Sequence, residues 1–101
     1  LSTNNAETNW NALRLANLAL SKGDIVSVFL LGEGVEYGQV NAHKFNIKEQ
    51  VEKLLQSKNA QIIACGTCMA IRKQESSKEC PEGSMEDWYR IVSESDKVLT
   101  F

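Results

Sequence analysis

The run Ile25-Val26-Ser27-Val28-Phe29-Leu30-Leu31 is nearly continuous in apolar residues, and it narrows the folds open to this chain. A strand with one wet face alternates apolar and polar residues, whereas an unbroken run suits a parallel strand covered on both faces. A second run, Ile62-Ile63-Ala64, is shorter, β-rich in the same way, and leads to Cys65. Stretches with helical spacing lie between and around these runs. Helices and strands that alternate, with each connection long enough for a crossover, specify an α/β domain with a mainly parallel sheet. At 101 residues and 43% hydrophobic content the chain fills one modest core, so residues 1–101 are read as a single domain.

Leu1-Ser2-Thr3 has the character of a strand's tail running into a polar loop, and an α/β domain normally begins with a strand; one upstream of Leu1 is expected. In the loop, Asn5 or Thr8 can cap a helix running from about Trp10 to Lys22, which Gly23 stops. Its polar strip is Asn11, Arg14, Asn17 and Ser21, with Ala12, Leu13, Leu15, Ala16, Ala19 and Leu20 covering the rest. Asn46 and Glu49 form a capping-box pattern before an amphipathic helix with Ile47, Val51, Leu54 and Leu55 on one face, where Glu49 can pair with Lys53. Thr67 to Lys73 is short and helical in character, and the polar stretch from Gln74 to Gly83 has room for a very short edge strand. Ser84 with Asp87 opens a last helix to about Ser95, its inward face expected to be Met85, Trp88, Ile91 and Val92. Lys97 to Phe101 reads as a closing strand.

Charge and composition exclude several functions. Eleven basic and 13 acidic residues are interleaved to a net charge of −2, with no basic stripe to neutralise phosphates, so nucleic acid is not an expected partner. No apolar run approaches the roughly 20 residues needed to span a bilayer, and no secretory leader pattern is present. Gly32-Glu33-Gly34 follows a strand, but no helical pattern opens behind it and no Gly-Lys-Ser/Thr follows, which makes it an ordinary turn. His43, the one histidine, stands in a polar loop and reads as solvated. Three cysteines, two of them three residues apart, argue against a secreted disulfide framework and for a reactive or metal-binding pair in a reducing, cytoplasmic setting.

That pair, Cys65-Gly66-Thr67-Cys68, falls where a strand ends and a helix begins. In open α/β sheets the carboxyl edge is where ligands and reactive groups collect. A thiol reacts as its thiolate, and three features here favour the anion: free amides where the helix begins, the tight turn that Gly66 allows, and Arg72, at i+7 from Cys65 and i+4 from Cys68. Three chemistries fit. Metal binding lacks ligands, since only Cys80 and His43 remain for a four-ligand zinc site. Dithiol–disulfide exchange matches the motif, but the helix behind it is short and no aromatic residue precedes Cys65. In sulfur transfer, one thiolate accepts a sulfane sulfur as a persulfide and hands it on. Cys68 has a plain alternative, as a small buried hydrophobe on the inner side of its helix.

Asn11 to Ala16, Val28 to Leu31, Phe45-Asn46-Ile47, Ala64 to Cys68 with Arg72, and the ending Asp96 to Phe101 together resemble the DsrE/DsrF-like (YchN-like) family, in order and over nearly the whole chain. The resemblance implies a three-layer α/β/α domain with a parallel sheet, assembled into trimers or hexamers and related to proteins that relay sulfur between small sulfur-carrier proteins. It matches the family's sulfur-carrying cysteine to Cys65 and its basic neighbour to Arg72, with Cys68 assisting; no cofactor and no metal are implied, and the family's first strand would precede Leu1. Two features depart from the pattern: Lys73-Gln74 stand where members often have glycine, and Cys80 is an addition.

Overall fold

The computed structural model describes residues 1–39 and 44–101, so the expectation for His43 lies outside the described residues. Of the two candidate caps Asn5 is the one used: its side-chain oxygen accepts from the Thr8 N–H at 2.9 Å and opens α1, Ala6–Ser21. The helix therefore starts at Ala6 rather than Trp10. Asn9, expected in the loop, instead turns inward, is 1% exposed and donates to the Thr3 carbonyl at 2.8 Å. Gly23, at φ +91°, takes the left-handed position that ends the helix.

The sheet is parallel throughout, with strands β1 (Val26–Leu30), β2 (Ala60–Cys65) and β3 (Glu82–Gly83) side by side in that order. Val28 lies opposite Ile62, Leu30 opposite Ala64 and Cys65 opposite Gly83. Because side chains alternate along a strand, the two faces of the sheet sort cleanly. Leu30, Ile62 and Ala64 join Leu13 of α1 and Ile47, Val51 and Leu54 of α2 (Ile47–Leu55) in the main core, where Leu54 is 0% exposed. On the other face Phe29 stacks flat on Trp88 of α4 (Met85–Glu94), with ring centroids 5.4 Å apart and 7° between planes. Helices thus lie on both faces of the sheet.

The capping predictions differ in outcome. Ser84 and Asp87 make the full reciprocal box at the start of α4. Asn46 accepts from the Glu49 N–H at 3.1 Å, and the ion pair along α2 is Lys48–Glu52 at 3.8 Å in place of Glu49–Lys53. The polar strip of α1 is not wholly wet: Asn17 is buried against α2 and donates to the carbonyl and the side-chain oxygen of Gln50, both at 3.0 Å. Leu15 and Leu18 face outward in compensation.

Two expectations are corrected. Met85 and Val92 of α4 do not point inward; Met85 is 70% exposed, and with Tyr89 they form an apolar stripe on the surface, while Trp88 and Ile91 are half-buried. The reason is area, since the helix rests on the edge of the sheet beside a two-residue strand and has one ridge to bury. Nor do Lys97 to Phe101 form a strand. A parallel ladder needs a neighbour several residues long, and the backbone beside Phe101 is Ser2, whose N–H donates to the Phe101 carbonyl at 2.7 Å. On its other side Leu1 lies along β1, its ammonium donating to the Phe29 carbonyl at 2.8 Å and its carbonyl accepting from the Leu31 N–H at 3.0 Å.

Candidate functional site

Cys65 is the last residue of β2 and the cap of the short helix α3, Gly66–Ile71. Its sulfur accepts from the Cys68 N–H at 3.3 Å, doing for this helix what a serine or asparagine oxygen does elsewhere. Gly66 sits so close to β3 that an added Cβ would stand 3.3 Å from a Glu82 carboxylate oxygen, so the turn carrying Cys65 is pressed against the sheet.

Cys68 lies one helical turn on, half-buried and packed against the main core. Its sulfur accepts from the Gly32 N–H at 3.2 Å. Gly32 begins the 3-10 turn Gly32–Glu36 that follows β1, and its φ of +55° favours glycine there. β1 and β2 are parallel neighbours, so the loops leaving their carboxyl ends meet at one edge, and that is how an amide 36 residues away reaches this thiol.

Arg72 caps the end of α3 and is held on two sides. Its Nε donates to Glu36 Oε1 at 2.6 Å, and its Nη1 donates to the Cys68 carbonyl at 3.2 Å. The other Glu36 oxygen accepts from Asn4 at 3.2 Å. The Arg72 guanidinium, then the Asn4 amide, hold the Glu36 carboxyl below its ordinary value.

The two thiols divide the charge unequally. A hydrogen bond from the Cys65 thiol, then the Gly32 N–H, then the Arg72 charge lower the Cys68 thiol; burial, then the proton shared with Cys68, raise Cys65. The structure therefore brings Cys65, Cys68 and Arg72 to one sheet edge, and of the two thiols the surroundings favour the anion more on Cys68 than on Cys65. Sequence reasoning missed Gly32 and Glu36, which it assigned to an ordinary turn and to a loop. The signal for Gly32 was its place just past a parallel strand adjacent to the one that carries Cys65.

Cys80 is 7% exposed, its thiol pushed up by burial, and with Tyr37 it lines a cavity of about 340 Å³ that Val35, Met69 and Gln74 also border. Among the described residues, no three His, Cys, Asp or Glu side chains gather to hold a metal ion, and no helix is long and apolar enough to cross a membrane.

Known proteins are similar to this chain in sequence and in fold. An uncharacterized protein of Methanopyrus kandleri is 34% identical over 101 residues, covering 94% of this chain and 83% of its own length. An uncharacterized protein of Methanocaldococcus jannaschii is 33% identical over 100 residues, with 94% and 88% covered. The crystal structure of the ychN protein from E. coli superposes with a TM-score of 0.75 at 27% identity, covering 90% of this chain and 84% of that one. The model of the DsrE/DsrF-like family, generally related to sulfur relay, matches residues 2–101 and so takes in β1, β2 and the cysteine turn between β2 and α3: the chain belongs to that family.

Proposed function

We propose that the protein is a sulfur-relay carrier: Cys65 accepts a sulfane sulfur as a persulfide and passes it to the thiol of a small sulfur-carrier partner. The observation that carries the reading is the place of Cys65, half-exposed at the carboxyl end of β2 with its sulfur against the Cys68 N–H. In loading, the Cys65 proton passes to Cys68 and the Cys65 sulfur attacks the outer sulfur of a donor persulfide; the bond between the donor's two sulfurs breaks, the donor leaves as a thiol with the proton its outer sulfur carried, and the new Cys65 persulfide keeps the one negative charge. The Cys68 N–H supports charge on the Cys65 side, and Arg72 holds the turn through the Cys68 carbonyl. The apolar stripe of Met85, Tyr89 and Val92 supports a homo-oligomer, a trimer or a hexamer, and free cysteines suit a cytoplasmic setting.

Incubation with a sulfane-sulfur donor followed by intact mass measurement tests this. Cys68→Ala, in which Cys65 is the one thiol left in the turn, gains about 32 Da, one sulfur atom, and Cys65→Ser does not. No gain in Cys68→Ala, or an equal gain in Cys65→Ser, sinks the proposal. The Cys68 N–H bonded to the Cys65 sulfur at 3.3 Å, which ties the two cysteines together at one turn, favours a second reading, dithiol–disulfide exchange. It requires turnover with a generic disulfide substrate that Cys68→Ala abolishes while sulfur loading persists.

A further inference from the structure

A carrier that only hands sulfur on needs one thiol, and this chain places a second against the first. We infer that Cys68 attacks the Cys65 persulfide and releases its outer sulfur as hydrosulfide, making the protein a sulfane-sulfur reductase that draws its electrons from a dithiol reductant. The inference rests on the reading of Cys65 as the persulfide carrier and adds to it a second route for the sulfur, taken when no acceptor thiol removes it.

Three observations carry it. The Cys68 N–H holds the Cys65 sulfur at 3.3 Å, so the residue bearing the second thiol is tied by its own backbone to the sulfur that would be attacked. The Gly32 N–H holds the Cys68 sulfur at 3.2 Å, so the second thiol has a backbone donor of its own at the same sheet edge. The neighbouring Cys65 thiol, then the Gly32 N–H, lower the Cys68 thiol while burial raises Cys65, which makes the second thiol the readier nucleophile of the two. A thiol kept only as a packing group needs neither the amide nor the partner.

The step balances. After loading, Cys65 bears the persulfide anion and Cys68 the proton it received. The Cys68 sulfur attacks the inner sulfur of Cys65, the Cys65–Cys68 bond forms, and the bond to the outer sulfur breaks. The outer sulfur leaves with the Cys68 proton as HS⁻; it is reduced, the Cys68 sulfur is oxidised, and one negative charge stands on each side. A dithiol reductant then returns the disulfide to two thiols and is itself oxidised to a disulfide. Attack on the inner sulfur is what separates this chemistry from relay, where an acceptor thiol takes the outer one.

The test uses the full chain, one equivalent of glutathione persulfide, removal of small molecules, and then parallel measurement of intact mass and released sulfide. The wild type is expected to end about 2 Da lighter than the reduced protein, as the disulfide, with one hydrosulfide released per chain. Cys68→Ser and Cys68→Ala are expected to stay about 32 Da heavier and to release nothing until a thiol is added. Cys80→Ser is expected to behave as wild type. A wild type that loads and keeps its sulfur as long as Cys68→Ser overturns the inference and leaves the carrier reading standing, and so does loss of release in Cys80→Ser. A wild type that never loads overturns both.

Discussion

Lys73 is a residue whose replacement by glycine should stabilise the protein. α3 ends in a Schellman motif: the Lys73 N–H donates to the Ala70 carbonyl at 3.1 Å and the Gln74 N–H to the Met69 carbonyl at 2.9 Å. The motif places its C′ residue in the left-handed region, and Lys73 is there at φ +53°, the one described non-glycine residue with positive φ. An L-residue in that region costs roughly 1–2 kcal/mol. Glycine removes the cost but gives back roughly 0.5–1 kcal/mol through its freer unfolded chain. The exposed lysine side chain makes no ion pair among the described residues, so Lys73→Gly nets about 0.5–1 kcal/mol of stability. With a urea m-value of about 1.5 kcal/mol/M, the midpoint rises by about 0.3–0.7 M. The thermal midpoint rises by about 2–6 °C. Lys73→Ala keeps the backbone cost and is the control. If glycine lowers the midpoint, or alanine raises it as much, the assignment of strain to this backbone position is wrong.

Two further perturbations probe the surroundings of the cysteines. A Cβ at Gly83, which pairs with Cys65, would run into the Ile63 side chain, so Gly83→Ala should cost about 1–3 kcal/mol in urea denaturation, with part of that recovered in Gly83→Ala/Ile63→Ala relative to the sum of the single variants; strict additivity refutes the contact. Glu36 has a folded pKa below its ordinary 4.5, so its contribution is present above that value and is lost as pH falls through the folded pKa. The stability difference between wild type and Glu36→Gln, followed by denaturation from neutral pH downward, should therefore shrink on acidification, and a difference that is flat with pH removes the Arg72 pair as its source.

What the sequence disclosed follows the range of the interactions. β1 and β2 were legible because a strand covered on both faces writes itself as a contiguous apolar run, and the caps at Asn5, Asn46 and Ser84 because a cap is a local bond spanning three residues. Cys65 was legible for the same reason, as the residue where the run stops. The facing of α4 was not, because Met85, Tyr89 and Val92 satisfy a helical stripe whether or not anything lies beneath them. Asn17 failed in the opposite sense: polar at helical spacing, it is buried because Gln50 on another helix meets its amide. Gly32 and Glu36 belong to contacts 36 residues long, which no local pattern encodes.

Those long contacts decide what charge the site can hold. Arg72 was expected to neutralise a thiolate, but Glu36 meets its Nε at 2.6 Å and the pair is close to neutral as a unit, leaving part of the cation's field for Cys68. The more direct support for a sulfur anion is then one backbone amide for each sulfur, Gly32 N–H for Cys68 and Cys68 N–H for Cys65. With one donor apiece, a single negative charge can pass from Cys68 to the Cys65 side during loading and then leave with the sulfur, and at no stage is a second anion required. A full unpaired arginine would instead have bound the persulfide anion most tightly and slowed its departure. Under the proposed sulfur chemistry, Glu36 would hold Arg72 in place while reducing the pull it exerts on the sulfur that must leave.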